Sequence, residues 1–422
     1  MVTDNVSITT EPLPITEVVE SADQQELAAV VRGCFESETA LYPIGGATSL
    51  DFGLPPKLAG IGLSLAKLDR IIDYPARDMT ITVEAGVRMR ALAAALAAEN
   101  QRLPIDVPRA DEATVGGVVA TNFNGPRRYG HGSVRDYVIG ISAVDGHGTP
   151  FKGGGRVVKN VAGYDFCKLL TGSLGTLGVI TQLTMKLRPI PEELSVVACR
   201  PKDLPTAEQL LSDLVHSQTT PAAIELLSGE SWQRDPALAN TTDANSLNLV
   251  VAFEGTATEV GWMVEQLDRE WQSRHVNMAA VIAGDEAADL MQRLAEFPAA
   301  AESPLVLKAS VVPSATTKLV EAFLDVEPQC SIQAHAGNGI VIARMTRFPD
   351  GGLSRSLVGG LQTIAGAHHG NVVVLSNPAG TEMTPQSMWG GNTGPIWLMD
   401  SVKQRFDPRN ILNPGRFVYR QT

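Results

Sequence analysis

The chain has 422 residues, 44% of them hydrophobic and 19% charged, with a formal net charge of −12. That length allows two or three domains around a substantial core, and the composition is that of a globular protein, not a disordered one. The acidic balance argues against nucleic acid as the main partner, because a phosphate backbone calls for a basic surface.

In chain order, residues 1–20, with Pro12 and Pro14, read as a leader. A helix is expected from Ser21 as N-cap, with Leu27, Val30 and Val31 at helical spacing. Ala40 to Ile44 reads as a strand ending at Gly45-Gly46. Thr80 to Val83 alternates as a strand, and Gly86 closes it. Ala91, Leu92, Ala95 and Leu96 share one face of a helix from Arg88 to about Asn100.

From Val134 to Arg188 short β-rich runs alternate with glycine, until Pro189 and Pro191 end the block. Residues 21–193 are therefore expected to form one domain. Residues 194–399 read as a second, α+β domain, with strand-like Leu247–Glu254, Pro304–Pro313 and Ile340–Arg344 around an amphipathic Val260–Trp271. The segment 400–422 is expected to carry a helix that stops at Asp407-Pro408, then a turn.

Cys34, Cys167, Cys199 and Cys330 contain no C-x-x-C pair. That excludes a zinc ribbon or a protein-held iron–sulfur cluster within this chain, and it fits a reducing compartment. The first twenty residues have no basic segment and no apolar run of signal-peptide length, and Ala91–Ala98 is too short to span a membrane. A soluble cytoplasmic protein is expected, with peripheral attachment through a partner left open.

Four glycine-rich segments punctuate the strands: Tyr42–Ser49, Ala113–Pro126, Gly155–Asp165 and Gly172–Thr181. Glycine so placed means close backbone approach or repeated positive φ, and one long phosphate-bearing cofactor laid across several loops accounts for all of them. Gly172, Gly175 and Gly178 are spaced G-x-x-G-x-x-G before an alternating strand, the wrong context for a nicotinamide-type Rossmann site. No Gly-Lys dipeptide occurs, which excludes a P-loop.

What remains is a fold whose loops offer backbone N–H groups to a pyrophosphate. Gly45, Gly46, Ala47, Thr48 and Ser49 supply consecutive donors and two hydroxyls, with no acidic residue between Tyr42 and Leu50. Thr114 to Gly117 and Ala120 to Asn122 offer the same chemistry, and Asn122 can donate and accept at a ring edge. Gly172 to Ile180 would bring backbone against a flat ring. Taken singly, each loop is also explained as a tight turn with a satisfied Ser/Thr cap.

The layout PIGGATS, ITVEAGV, PRADEATVGGVVATNFNGPRRYGHGSVRDYVIGISAVDGHG, KNVAGYD and GSLGTLGVITQLTMKLRP resembles the FAD-binding domain of the p-cresol methylhydroxylase/vanillyl-alcohol oxidase (PCMH/VAO) flavoproteins, from about Ser21 to Pro191. The terminal FDPRNILNPGR is similar to the C-terminal segment of the FAD-linked oxidases, which returns to the flavin domain. Within that family, GPRRYGHGSVRD followed by KNVAGYD is most similar to the FAD-binding, E-type component of glycolate oxidase.

The resemblance implies an α+β fold, with a two-subdomain FAD-binding domain and an α+β cap. It also implies a complex with a catalytic flavoprotein of D type and an iron–sulfur protein of F type, active in 2-hydroxy-acid oxidation and electron transfer. Carried over, Pro43, Ile44, Gly45, Gly46, Ala47, Thr48 and Ser49 would wrap the pyrophosphate. Thr114, Val115, Gly116, Gly117, Ala120, Thr121 and Asn122 would bind pyrophosphate and isoalloxazine. Gly163, Tyr164, Gly172, Ser173, Gly175, Thr176, Gly178 and Ile180 would line flavin and adenosine, and Asn413 would approach from the tail.

Two departures bear on chemistry. The first loop has neither histidine nor cysteine, so non-covalent FAD is expected. The hydroxy-acid-oxidising relatives carry a histidine-rich metal motif; here His335-Ala336-Gly337-Asn338-Gly339 matches its first half, but Ile342 stands in place of the second histidine. No metal site is expected, since one histidine cannot hold a divalent ion. Leu174 replaces the glutamate of the relatives' G-S-E-G-T pattern.

Four further features have plainer readings. His368 and His369 suit a solvated turn. Arg127 and Arg128 suit either an anion grip or an ion pair, and Trp389 to Trp397 suits core packing or an interface. Tyr164-Asp165 suits a flavin contact or a helix cap. The alternatives for the whole chain are a stand-alone flavin oxidase acting on another alcohol or hydroxy acid, and a structural subunit without flavin.

Overall fold

The computed structural model describes residues 13–156, 163–238, 246–299, 302–391 and 394–417. Among the described residues three sheets and a two-stranded ribbon build the fold. A three-stranded parallel sheet has the order β1 (Ile15–Glu20), β3 (Gly60–Ser64), β2 (Ala40–Ile44). Beside it lies a five-stranded antiparallel sheet, in the order β4 (Ile71–Asp73), β5 (Thr80–Glu84), β9 (Val179–Lys186), β7 (Val138–Val144), β8 (Pro150–Gly154). A short ribbon pairs β6 (Gln101–Arg102) with β10 (Arg188–Pro189).

The third sheet has eight antiparallel strands. Its members are β11 (Glu193–Cys199), β12 (Ala223–Ser228), β13 (Asn248–Gly255), β14 (Met278–Ala283), β15 (Leu305–Ser310), β16 (Ser331–His335), β17 (Ile340–Met345) and β18 (Asn371–Ser376). Their spatial order is 14-11-13-12-16-17-15-18.

Alternation along these strands sends one set of side chains to each face. On one face Val197, Leu226, Val251, Leu307 and Ile332 meet the helices Leu204–His216, Ala257–Ser273 and Thr316–Val326 through Leu210, Met263, Trp271 and Phe323. On the other face the helix Gly284–Glu296 packs Ala287, Leu290, Met291 and Leu294 against Val196, Val250 and Ile282. Lys308, Ile340, Ile342 and Leu375, toward the β18 end of that face, line a cavity shared with the glycine loops. That cavity is where the two halves of the chain meet.

Several elements differ from the sequence reading for identifiable reasons. Ile15–Glu20, assigned to the leader, forms the outer strand β1, because parallel pairing with β3 supplies partners that local sequence does not reveal. The first helix is Gln24–Ser37, capped by Asp23, whose carboxylate accepts from the Gln25 and Glu26 N–H groups. Ser21 is buried ahead of it. Thr114 to Gly117, read as a glycine turn, opens the helix Val115–Thr121 with Thr114 as N-cap, and Asn122 ends it in the left-handed region.

The last helix, Ile396–Phe406, ends at Asp407. The chain then returns to the first sheet: Leu41 N–H donates to Ile411 O at 2.8 Å, and Asn413 N–H donates to Leu41 O at 2.9 Å. Trp389 packs edge-on against Phe52 and Phe417, so its role is packing, while Trp397 is largely exposed. His368 and His369 sit in the turn before β18. No described helix is long and apolar enough to cross a membrane.

Candidate cofactor groove and adjoining cavity

The loop after β2 has the backbone geometry that suits an anion. The backbone N–H groups of Gly45, Gly46, Ala47, Thr48 and Ser49 donate to no backbone acceptor among the described residues. Ala47 takes a positive φ of 56°, which turns successive N–H groups to one side and forms a nest for negative charge. Arg109, Asn122, Leu174 and Asn413, also left-handed, border the groove or the cavity beside it. Clustered non-glycine residues in this sparsely populated conformation mark a site held in shape by its surroundings.

The glycines are explained by chain crossings as much as by a ligand. A Cβ on Gly46 would lie 1.8 Å from Glu112 O, and one on Gly45 would lie 2.3 Å from Thr114 Oγ1. A Cβ on Gly116 would strike Ala85 at 2.7 Å. Gly117 differs: its nearest neighbour would be Thr114 Oγ1 at 3.2 Å, and the glycine faces the groove. Thus Gly45, Gly46 and Gly116 let loops touch each other, and Gly117 leaves room for something else.

Of the residues singled out from sequence, Pro43, Gly45 to Ser49, Gly116, Gly117, Ala120, Thr121, Gly175, Gly178, Ile180 and Asn413 line one groove. Asn122 lines the cavity beside it. Ile44 and Val115 are buried in the core behind, and Thr114 caps a helix. Gly172 holds a positive φ against Asn122, Ser173 is buried with an unpartnered Oγ, and Thr176 is buried with its hydroxyl on Ser173 O.

Gly163 and Tyr164 line neither space, and Tyr164 is 83% exposed. Asp165 caps the helix Phe166–Leu170 by accepting from Lys168 N–H. Lys159 to Ala162 of the same motif lie outside the described residues.

Leu174, which stands in place of the relatives' glutamate, lines the groove too, and Leu13, Leu50, Phe52, Leu65, Val179 and Arg416 complete it without having been singled out. The basic residue among them is informative. Arg416 Nη2 donates to Leu50 O at 2.6 Å and Phe52 O at 2.7 Å, tying the tail to the first loop.

The groove opens into a cavity of about 850 Å³ and shares Ala47 to Leu50, Phe52 and Thr121 with it. The far wall is Lys308, Ile340, Ile342, Leu375 and Ser376 from the eight-stranded sheet; Asn124 and Arg128 close one side. Lys308 has no carboxylate partner among the described residues, and neither has Arg128. Burial, with Arg128 close by, pushes the Lys308 ammonium down to about 8 from 10.5. No histidine, cysteine or tyrosine among the described residues lines either space.

Beside the cavity, Arg127 is held by Asp106 and Glu254. His335 is turned inward, with Nδ1 2.8 Å from Glu225 Oε1, and desolvation raises the Glu225 carboxyl. Both side chains are buried under the short helix Arg128–His131, and Ile342, at the position where a second histidine would stand, presents an apolar wall to the cavity.

A family model described as "FAD binding domain" matches residues 15–154, and one described as "FAD linked oxidases, C-terminal domain" matches residues 382–417. The solved structure of p-cresol methylhydroxylase with substrate bound superposes with a TM-score of 0.71 at 17% identity, over 95% of this chain and 88% of that one. The fold is that of the PCMH-type flavoproteins, and the matched segments give the chain an FAD-binding domain and the C-terminal domain of FAD-linked oxidases, the make-up of an FAD-dependent oxidoreductase.

Its relatives include glycolate oxidase subunits and D-lactate dehydrogenases. Glycolate oxidase subunit GlcD of Bacillus subtilis is 26% identical over 94% of this chain and 88% of that protein. The D-lactate dehydrogenase of Archaeoglobus fulgidus is 28% identical over 95% and 91%. Glycolate oxidase subunit GlcE of Escherichia coli is 38% identical, but over 40% of this chain and 47% of that protein. The likeness to GlcD and to D-lactate dehydrogenase thus runs over nearly the whole of both chains, whereas the likeness to GlcE is confined to a shorter stretch.

Proposed function

We propose that the chain is the FAD-binding subunit of a 2-hydroxy-acid dehydrogenase complex of the glycolate oxidase type. The observation that carries the substrate class is Lys308 and Arg128, two cations without a carboxylate partner among the described residues, on the wall of the cavity that opens off the groove. An unpaired ammonium at such a site is costly, and a substrate carboxylate would offset that cost.

In this reading FAD supplies the hydride acceptor when bound. The Gly45–Ser49 N–H groups hold its pyrophosphate, and Gly117 and Thr121 shape the floor. Lys308 and Arg128 orient the substrate carboxylate, while Phe52, Ile340, Ile342 and Leu375 exclude water. Non-covalent attachment fits the absence of histidine, cysteine and tyrosine from the described walls. The FAD-binding unit then starts at β1, and residues 194–399 supply the cap.

The four cysteines are buried and dispersed, so an iron–sulfur centre to receive the electrons would belong to a partner. The E-type assignment rests on the higher identity to GlcE; a D-type flavoprotein and an F-type iron–sulfur protein are the partners it entails. A second reading, a dehydrogenase complete in one chain, is favoured by the nearly full-length match to D-lactate dehydrogenases.

Native purification followed by absorbance spectroscopy and partner identification decides between them. A yellow complex with a cysteine-rich subunit supports the first reading. Dye reduction by the isolated chain with glycolate or D-lactate supports the second. A folded, colourless chain that ignores added FAD overturns both.

A further inference from the structure

Lys403 is an almost fully buried cation that lines neither the groove nor the adjoining cavity. Its Nζ donates to Thr176 O at 2.8 Å, Leu412 O at 3.0 Å and the Asp407 carboxylate at 2.6 Å. Its side chain is 5% exposed and that of Asp407 is 0% exposed. Asp407 in turn accepts from the N–H groups of Ile411 at 3.0 Å and Leu412 at 2.8 Å. One ion pair therefore fixes the last helix, the start of the tail and the glycine turn that ends at Gly178.

The tail it fixes touches both sides of the groove. Asn413 Nδ2 donates to Leu174 O at 2.7 Å, next to Gly175. Arg416 holds the Leu50 and Phe52 carbonyls, and Leu54 N–H returns a bond to Arg416 O at 3.1 Å. Residues 411–416 thus form a strap across the groove, with contacts to the first glycine loop (Tyr42–Ser49 and the residues just after it) at one end and to the Gly172–Thr181 loop at the other.

We infer that Lys403 and Asp407 are positioning residues for FAD retention: they form the buckle that holds this strap closed over the groove. The inference rests on the assignment of the groove to FAD. A buried lysine bonded to two carbonyls and one carboxylate, each on a different part of the strap system, costs desolvation wherever it stands. General core stability could be met more cheaply by a packed apolar residue. What the charged group adds is a fixed geometry between three segments that have no continuous sheet or helix between them.

The test uses the full-length chain with FAD, comparing wild type with Lys403→Met, Asp407→Asn and Asn413→Ala. FAD dissociation is followed by recovery of flavin fluorescence. Hydrogen exchange is followed in parallel at residues 174–178, at 411–416 and in the eight-stranded sheet. The expected result is FAD release faster by about tenfold to a hundredfold in each variant, with exchange raised in the strap and turn but unchanged in the eight-stranded sheet.

The double variant Lys403→Met/Asn413→Ala should release FAD more slowly than the product of the two single effects, because both changes open one strap. If Lys403→Met fails to fold, Asp407→Asn and Asn413→Ala carry the same readout. Unchanged FAD release in folded variants, with only a lowered melting temperature, would overturn the inference alone. A wild-type chain that binds no FAD would overturn the cofactor assignment and this inference with it.

Discussion

Glu254 on β13 and Arg127, beside the glycine-loop helix, meet across the boundary between the two halves of the chain, with Arg127 Nε donating to Glu254 Oε1 at 2.7 Å. The pair is the centre of a larger cluster. Arg102 Nη1 reaches Glu254 Oε1 at 2.9 Å, His131 Nε2 lies 2.7 Å from Glu254 Oε2, and Asp106 accepts from Arg127 N–H at 2.7 Å. Against the cost of its own burial, hydrogen bonds from His131 and Arg102 and the charges of Arg127 and Arg102 hold the Glu254 carboxyl well below its ordinary value. Arg127 is likewise held above the usual guanidinium value by Asp106 and Glu254, although burial alone would lower it. The chain position this fixes is that of Arg128, the next residue, which faces the cavity.

Replacing Glu254 with Gln leaves Arg102 and Arg127 without their shared carboxylate, and a loss of roughly 3 to 5 kcal/mol is expected. The exposed pair Arg234–Glu230 should contribute about 0 to 1 kcal/mol. Because the folded Glu254 is depressed below 4.5, its contribution is fully present above that pH and fades as pH falls toward the folded value. Urea midpoints of wild type and Glu254→Gln should therefore lie far apart at neutral pH and converge in acid. A gap that stays constant down to strongly acidic pH would show that the carboxylate charge is not what stabilises the boundary.

Lys308 gives a pH dependence of opposite form. Its ammonium is pushed down to about 8, so it is charged below that pH and loses its charge above it. Binding of an unreactive carboxylate such as oxalate, read from the flavin absorbance, should be constant below about pH 8 and weaken above it. Lys308→Met should lower that affinity about tenfold or more at pH 7 and remove the pH dependence, while FAD remains bound. The stability effect runs the other way. The unfolded chain holds the Lys308 proton up to 10.5 and the folded chain releases it near 8, so wild type gains stability relative to Lys308→Met between those values.

Gly46 and Gly117 should respond differently to added side chains. At Gly46 even a methyl group would overlap Glu112 O, a backbone atom that cannot step aside. Gly46→Ala is expected to cost about 1 to 3 kcal/mol of stability and to shift the anion loop. Gly117→Val, by contrast, adds its atoms toward the groove. That variant should fold with little change in melting temperature and emerge without flavin. Flavin retained at wild-type occupancy in Gly117→Val would remove Gly117 from the site.

The glycine loops were legible because strand alternation, turn residues and the missing Gly-Lys all constrain the same short stretches of sequence. The return of the tail was legible through one motif, and Asn413 does reach the Gly172–Thr181 loop. What sequence could not supply were the long-range pairings. β1 gains its partner from residues 60–64, and Gly46 owes its lack of a side chain to Glu112. Thr114 to Gly117 read as a turn because two glycines depress helix propensity, yet Thr114 caps a helix that packs Val118 and Val119 into the core. Lys308 and Arg128 lie far apart in the chain and carry no motif; only the folding of one half against the other brings them to one cavity. Tyr164 shows the converse, since a motif drew attention to a residue that the structure leaves in solvent.

The most direct test of the account is the visible absorbance spectrum of the natively purified protein with its partners, recorded anaerobically before and after addition of glycolate or D-lactate. The account predicts one FAD per chain, released intact by denaturation, whose spectrum responds to the hydroxy acid as electrons pass to a cysteine-rich partner. A folded protein without flavin, or a bound flavin indifferent to every 2-hydroxy acid with and without partners, would contradict it.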